Sequence, residues 1–193
     1  INIVAGPLCF AAGTQVQMAS GTYNSIEDVE VGDQVLAFDE LGELQPRRVT
    51  RLFRNTTPTW LELTFDGVED LEPVVVTPGH EFLKPSGGFA PISEMLMKGG
   101  GRADVVLADG AIATVRARRI EYSAETASMF GQDTADISLH GNLALSTPAA
   151  EGWQTYNFEV EELHTYIAGG IRVHNLSTIS DHTVSEVEAA LLL

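Results

Sequence analysis

Residues 155–175 read TYNFEVEELHTYIAGGIRVHN, and this stretch decides the fold class. Runs of β-branched and aromatic residues at Tyr156–Val160 and Thr165–Ala168 flank an acidic turn, and such runs favour β-strands. Gly169-Gly170 then permits a tight turn that folds the following Ile-Arg-Val run back on the preceding strand. The stretch is therefore predicted as antiparallel strands that end at His174-Asn175.

The same kind of run recurs upstream, bounded in most cases by Gly, Asp, Asn or Pro. Strands are predicted at Gln34–Phe38, Arg47–Leu52, Thr59–Phe65, Val74–Thr77, Ala103–Leu107 and Ala111–Arg119. Helical signals are weaker: single turns at Ser25–Asp28 and Pro91–Leu96, and a terminal helix at Ser185–Leu192. The predicted fold class is all-β.

Two internal similarities suggest a repeated β-unit. Residues 32–52 resemble residues 102–122, and residues 63–83 loosely match residues 156–170. The first pair are hairpins that end in a basic strand, and the second pair each carry a central histidine. Two degenerate copies predict a fold with pseudo-twofold symmetry.

Length and composition limit the classes of function. A chain of 193 residues with 44% hydrophobic residues suits one globular domain, apart from a Ser-, Thr- and Ala-rich segment at 123–154 predicted as a loop or insertion. The net charge of −16 would repel phosphate backbones and anionic membranes, which argues against nucleic acid and membrane partners. No stretch approaches the roughly 18 apolar residues of a membrane span. Because the numbering starts at Ile1, we expect a piece of a longer protein, and the localisation stays unknown.

The chain has one cysteine, so it contains no internal disulfide or cysteine-rich zinc site. Cys9 directly follows the Leu8–Cys9 peptide bond, whose carbonyl its sulfur can attack through a five-membered ring. The attack needs a donor for the oxyanion and an acid for the departing nitrogen. Thr77 and His80, three residues apart across a Pro-Gly turn, can supply a hydroxyl and an imidazole.

Asparagine offers a parallel reaction at the other end. The side-chain nitrogen of Asn175 can close a five-membered ring on its own carbonyl and release Leu176. A carboxamide nitrogen is a poor nucleophile, so His174 and His164 are expected to assist by acid–base chemistry. Taken singly, each of these residues has an ordinary structural explanation. Their order along the chain favours chemistry.

Three segments together resemble the Hint superfamily, which includes inteins, Hedgehog autoprocessing domains and bacterial intein-like domains. They are CFAAGTQVQMASGTYNSIEDVEVGDQVLAFDE at 9–40, VVVTPGHEFLKP at 74–85 and TYNFEVEELHTYIAGGIRVHN at 155–175. The resemblance implies a horseshoe-like all-β domain at 9–175, between flanks at 1–8 and 176–193. It implies Cys9 as the nucleophile of an N-to-S acyl shift and Thr77 and His80 as groups that destabilise the upstream amide. It implies His164 and His174 as assistants to cyclisation of Asn175.

Two positions depart from the usual intein pattern. Asn157 stands where many inteins have Asp, which weakens the case for acid–base help there. Leu176 follows the terminal Asn, where inteins carry Cys, Ser or Thr, and Ser177 is one place too far for the usual geometry. The combination is most similar to a type A bacterial intein-like domain. Cleavage at either end is then expected, with splicing as a lesser route.

The expected partners follow from this chemistry. They are the chain's own flanking segments, together with water, thiols or amines as acceptors of the thioester, in a monomer without a metal or organic cofactor. One alternative is a Hedgehog-like domain that passes the thioester to an external nucleophile, although the His174-Asn175 ending argues against it. A second is a catalytically weak Hint scaffold that serves as a spacer in a larger, secreted protein.

Overall fold

The computed structural model describes residues 8–130 and 152–175. Most of the predicted N-terminal flank, most of the 123–154 segment, the Ser185–Leu192 helix and the C-terminal flank beginning at Leu176 lie outside these residues. No helix in the described part of the chain is long and apolar enough to cross a membrane.

The described residues are mainly short strands. The strands are β1 (Gln15–Gln17), β2 (Tyr23–Ser25), β3 (Gln34–Phe38), β4 (Leu44–Thr57), β5 (Thr59–Phe65), β6 (Val74–Val76), β7 (Glu81–Leu83), β8 (Phe89–Pro91), β9 (Arg102–Val106), β10 (Ile112–Glu121), β11 (Trp153–Val160), β12 (Thr165–Ala168) and β13 (Ile171–His174). Helix α1 spans Ile92–Lys98, and single 3₁₀ turns lie at Ile26–Asp28 and Ala127–Met129. The all-β prediction is confirmed.

The strands form antiparallel sheets whose orders are β2-β1-β12-β13-β7-β8, β6-β5-β10-β9 and β11-β4-β3. The two hairpins recognised as a repeat, β3–β4 and β9–β10, are both antiparallel pairs. Each hairpin also pairs with a strand of the other copy of the repeat. Strand β4 of the first copy pairs with β11 of the second, and β10 of the second copy pairs with β5 of the first. This exchange is reciprocal, which is consistent with the predicted pseudo-twofold symmetry.

Strand β4 is longer than predicted because it has partners along its whole length. Its first residues pair with β3, and the rest pairs with β11 from Val49 to Thr57. Strand β11 likewise begins at Trp153, so the predicted loop at 123–154 ends two residues too late. The Trp153 side chain is fully buried, and its Nε1 donates to the carbonyl oxygen of Ala127 at 2.9 Å. Burial of so large a ring favours continued strand pairing at this point.

The main core surrounds the first residues of the domain. Phe10 is completely buried and forms isolated antiparallel bridges with Val76 and with Tyr156. The chain at Phe10 therefore runs between β6 and β11. Phe82 and Tyr166, also fully buried, have their rings 6.5 and 6.2 Å from that of Phe10. This packing places Cys9 deep inside the domain.

Candidate active site

Cys9 and Thr77 are joined by main-chain and side-chain hydrogen bonds. The Cys9 amide donates to Thr77 Oγ1 at 2.9 Å, and the Thr77 amide donates to the Cys9 carbonyl oxygen at 2.9 Å. Both side chains are about 1% exposed. The Thr77 hydroxyl oxygen thus accepts from the amide nitrogen of the Leu8–Cys9 bond, and the hydroxyl itself donates to the Cys9 carbonyl oxygen at 3.2 Å.

The carbonyl of the same peptide bond contacts Asn157. Asn157 Nδ2 donates to the Leu8 carbonyl oxygen at 2.6 Å. Its Oδ1 accepts from the Phe158 amide at 2.8 Å and from the Tyr166 hydroxyl at 2.7 Å. These two donors fix the carboxamide so that its NH₂ group faces Leu8. The sequence pattern indicates only a loss of acid–base help at Asn157 and gives no sign of this contact with Leu8.

His80 lies completely buried beside the Leu8–Cys9 bond. Its ring centroid is 4.4 Å from that of Phe10. Its nitrogens lie beside main-chain groups of Leu8 and His174 without reaching hydrogen-bond geometry. Burial above all, and then the charge of His174, lowers the pKa of His80 to about 3. The imidazole is therefore neutral near pH 7.

Three polar residues that the sequence did not single out affect the pKa of the Cys9 thiol. Burial raises the pKa of this thiol to about 11, whereas Thr155, Asn55 and the Arg54 guanidinium act in the opposite direction. Thr155 and Asn55 lie directly across from each other in the β11–β4 pair. The Thr155 hydroxyl is buried without a hydrogen bond of normal geometry, so its contact with the thiol is weak. The resting thiol is protonated near neutral pH.

Asn175 is also buried, at 4% exposure. Its amide donates to the His164 carbonyl oxygen at 2.9 Å, and its Nδ2 donates to the Phe158 carbonyl oxygen at 2.8 Å. Its Oδ1 is buried without a hydrogen-bond partner. His164 has a positive φ of 54° at the turn before β12, and its ring centroid is 6.5 Å from that of His174.

His174 contacts an acidic and an aromatic side chain. Its Nδ1 lies 3.2 Å from Glu81 Oε2, and its ring centroid is 4.6 Å from that of Phe89. The side chain also lines an open cleft of about 820 Å³. Thr165 and Leu163 also line this cleft. Among the predicted site residues that the structure describes, His174 alone borders it.

Comparison with known proteins identifies the architecture. A family model described as Hom_end-associated Hint matches residues 9–64. A bacterial intein-like domain from Clostridium thermocellum has a TM-score of 0.63 at 23% identity, covering 86% of this chain and 98% of its own. The chain has the Hint fold.

Inteins of the same fold show comparable similarity. The DnaB intein from Synechocystis sp. PCC 6803 has a TM-score of 0.58 at 16% identity, over 88% of this chain and 99% of its own. The gp41-1 intein has a TM-score of 0.56 at 18% identity, over 88% of this chain and 100% of its own. A comparison with curated protein sequences returns no match. The resemblance to the Hint superfamily inferred from the three sequence segments is confirmed at the level of the fold.

The Hint fold here brings the two predicted reaction points to one strand. Asn157 contacts Leu8, and the carbonyl of the next residue, Phe158, accepts from Asn175. Both residues belong to β11. Within residues 8–130 and 152–175, no group of three or more His, Cys, Asp or Glu side chains is arranged to hold a metal ion.

Proposed function

We propose that this Hint-fold chain cleaves its own peptide bonds at Leu8–Cys9 and Asn175–Leu176 in a single turnover. The Hint fold supports a self-processing capacity in general. The observation that carries the specific proposal is the Leu8–Cys9 amide, which Thr77 contacts at its nitrogen and Asn157 at its oxygen. A peptide bond with polar side chains at its nitrogen and its oxygen, next to a buried thiol, is equipped for acyl transfer.

In the N-terminal step, Cys9 Sγ attacks the Leu8 carbonyl carbon. A carbon–sulfur bond forms, the bond from that carbon to the Cys9 nitrogen breaks, and the thiol proton ends on the released amine. Asn157 Nδ2 donates to the oxygen on which negative charge develops. Thr77 and His80 are the groups that assist departure of the nitrogen.

The pKa values explain why the step is expected to be slow in the described arrangement. The pKa is about 11 for Cys9 and about 3 for His80. The thiol therefore holds its proton much more tightly than the imidazole would, which disfavours direct proton transfer from Cys9 to His80. Both shifts arise mainly from burial. Entry of water, or a small movement of either side chain, would reduce both.

In the C-terminal step, Asn175 Nδ2 attacks its own carbonyl carbon. A carbon–nitrogen bond closes the succinimide, the bond to the Leu176 nitrogen breaks, and a proton passes from Nδ2 to that nitrogen. Nδ2 must first leave the Phe158 carbonyl oxygen, to which it donates at 2.8 Å. His174 and His164 are the proposed proton carriers.

The two cleavages are proposed to be only loosely coupled, because Leu176 offers no hydroxyl or thiol to capture the acyl group. The thioester at Cys9 then reacts with water, with thiols or with free amines, including the amine released at Leu176. Release of the flanks is expected to exceed their ligation.

Single substitutions analysed by intact mass test this function. Cys9→Ala should stop release of residues 1–8 and leave cleavage after Asn175, whereas Asn175→Ala should do the reverse. Asn24→Ala, which removes a carboxamide from the edge strand β2, serves as the control and should cleave at both ends. Release of residues 1–8 from the Cys9→Ala variant, or an uncleaved wild-type chain, would contradict the proposal.

A further inference from the structure

Glu81 contacts the histidine that precedes Asn175. Its Oε2 lies 3.2 Å from His174 Nδ1, and the two side chains are only 18% and 16% exposed. The register explains this contact: β7 and β13 are antiparallel with Phe82 opposite Val173, which places Glu81 opposite His174. The strand register therefore places the two side chains next to each other as a cross-strand pair.

An aromatic ring restrains the same imidazole. Phe89, on β8 at the other side of β7, lies with its ring centroid 4.6 Å from that of His174 and its plane at 37°. The carboxylate contacts one ring nitrogen, and the phenyl ring covers part of a face. Together they restrict the orientation of an imidazole that borders an open cleft.

We propose that Glu81 is a positioning residue for cyclisation of Asn175, an inference that rests on the proposed C-terminal cleavage. A carboxylate only accepts hydrogen bonds, so its contact requires hydrogen on His174 Nδ1. In the neutral imidazole, Nε2 is then the basic nitrogen. Glu81 thus selects the tautomer and orientation in which His174 can carry a proton.

In the proposed cyclisation, the tautomer of His174 determines which ring nitrogen carries the proton. Nε2 of His174 takes a proton from Asn175 Nδ2 as the new carbon–nitrogen bond forms. The same proton then passes to the Leu176 nitrogen as the old bond breaks. Between the two transfers His174 is an imidazolium, which the facing carboxylate stabilises. No other reactant is consumed.

The pair is expected to affect rate more than stability, because partly exposed ion pairs contribute little to folding. We expect Glu81→Ala to lower the ratio of C-terminal to N-terminal cleavage on the order of tenfold to a hundredfold, the range seen when the hydrogen-bond partner of a metal-bound histidine is removed. Glu62→Ala is the matched control. Glu62 is another partly exposed strand carboxylate, 3.0 Å from Arg118, and its loss should leave the ratio unchanged.

A double substitution separates positioning from a general structural effect. In a His174→Ala background, Glu81→Ala should change C-terminal cleavage by less than twofold, because the imidazole that it positions is gone. A further fall comparable to that seen with His174 present would overturn the proposal. Equal cleavage ratios for Glu81→Ala and wild type would overturn it as well.

Nitrogen NMR of the uncleavable Cys9→Ala/Asn175→Ala chain provides a readout that does not depend on cleavage. His174 should appear with hydrogen on Nδ1, and adding Glu81→Ala should shift it toward hydrogen on Nε2. An unchanged tautomer would refute the positioning role. A wild-type chain that never cleaves after Asn175, combined with the expected NMR change, would refute the proposed function while the contact itself stands.

Discussion

At the scale of single residues, Asn157 is a carboxamide held in one orientation beside the Leu8 carbonyl. Its Oδ1 accepts from Tyr166 and Phe158, which leaves the NH₂ group as the part that faces the Leu8 carbonyl. Burial raises the pKa of Tyr166 well above its ordinary value, so the phenol keeps its proton and remains a donor. A side chain with no acid–base function can therefore still contribute an oriented dipole.

Asn157→Ala is predicted to slow release of residues 1–8 by about 10²- to 10³-fold, the usual cost of losing one oxyanion donor. Time courses by intact mass measure this rate. Tyr166→Phe is the control, since it removes a donor to Oδ1 and leaves Nδ2 in place; its effect should be clearly smaller. An Asn157→Ala chain that releases residues 1–8 at the wild-type rate would show that the 2.6 Å contact is not used.

Because His80 is buried in its neutral form, we predict that the folded protein loses stability in acid. The unfolded chain binds a proton at His80 below pH ~6.5, whereas the folded chain does so only near its lowered pKa of about 3. Stability is therefore lost as the pH falls between these values. In a Cys9→Ala/Asn175→Ala background, the free energy of unfolding should fall between pH 7 and pH 4 by about 3 kcal/mol more than in the same chain with His80→Gln.

Urea unfolding at a series of pH values measures that difference. The comparison of the two chains cancels the contribution that the many carboxylates make to the pH dependence of stability in the same range. Parallel pH dependences would mean that His80 is protonated as easily in the folded protein as in the unfolded one.

At the scale of elements, the β12–β13 hairpin positions Asn175. Ala168 pairs with Ile171, so the turn consists of Gly169 and Gly170 alone. Both have positive φ, 58° and 81°, which is typical of the two-residue turns that join twisted strands. The sequence predicted this turn, and the structure confirms it.

Gly169→Ala is predicted to destabilise the inactive chain by roughly 2–3 kcal/mol, and Gly170→Ala by about 1 kcal/mol. Both changes place a side chain at positive φ. A Cβ at Gly169 would also lie 2.4 Å from a Val74 methyl group, whereas one at Gly170 meets Leu71 at an ordinary 3.5 Å. Urea denaturation compares the two variants. Equal stabilities would indicate that Val74 moves away without cost.

Strands of four or more residues with a clear pattern were predictable, because their composition and bounding turns act locally. The limits of β3, β5 and β12 are as predicted. Four of the five three-residue strands in the described part of the chain, β1, β2, β7 and β8, were missed, since three residues are too few to show alternation. The fifth, β6, was predicted because all three of its residues are β-branched. Pairing with neighbouring strands, rather than local preference, creates the four that were missed.

The candidate site was predictable only in part, for a similar reason. The order of Cys9, Thr77, His80 and Asn175 in three recognisable segments pointed to them, although their roles remain predictions. Asn55 and Glu81 gave no such signal. Asn55 reaches Cys9 because it lies opposite Thr155, and Glu81 reaches His174 because of the β7–β13 register. Contacts set by register between distant strands are not visible in a single sequence.

At the scale of the whole molecule, exchange of strands between the two repeats brings both reaction points to β11. The Leu8 carbonyl contacts Asn157, and the Asn175 carboxamide contacts the carbonyl of the next residue, Phe158, so the two bonds proposed to break lie beside one strand. Proximity favours reaction between the two ends if a suitable nucleophile is present.

Leu176→Cys is therefore predicted to increase ligation of the flanks at least several-fold over the parent chain. The new thiol can take the acyl group from Cys9 before Asn175 cyclises. Mass spectrometry of a chain with extended flanks measures the ligated product, and Leu176→Ala controls for the change in size. Equal ligation in both variants would show that the missing nucleophile is not what limits splicing.

Intact-mass analysis of the freshly folded wild-type chain, incubated with and without a thiol such as dithiothreitol, tests self-processing most directly. We expect two events. The thiol should accelerate release of residues 1–8, and loss of residues 176–193 should leave a species ending at Asn175 that is one water lighter than the product of hydrolysis. A folded chain of unchanged mass under both conditions, or fragments cut at other bonds, would contradict the proposed self-processing.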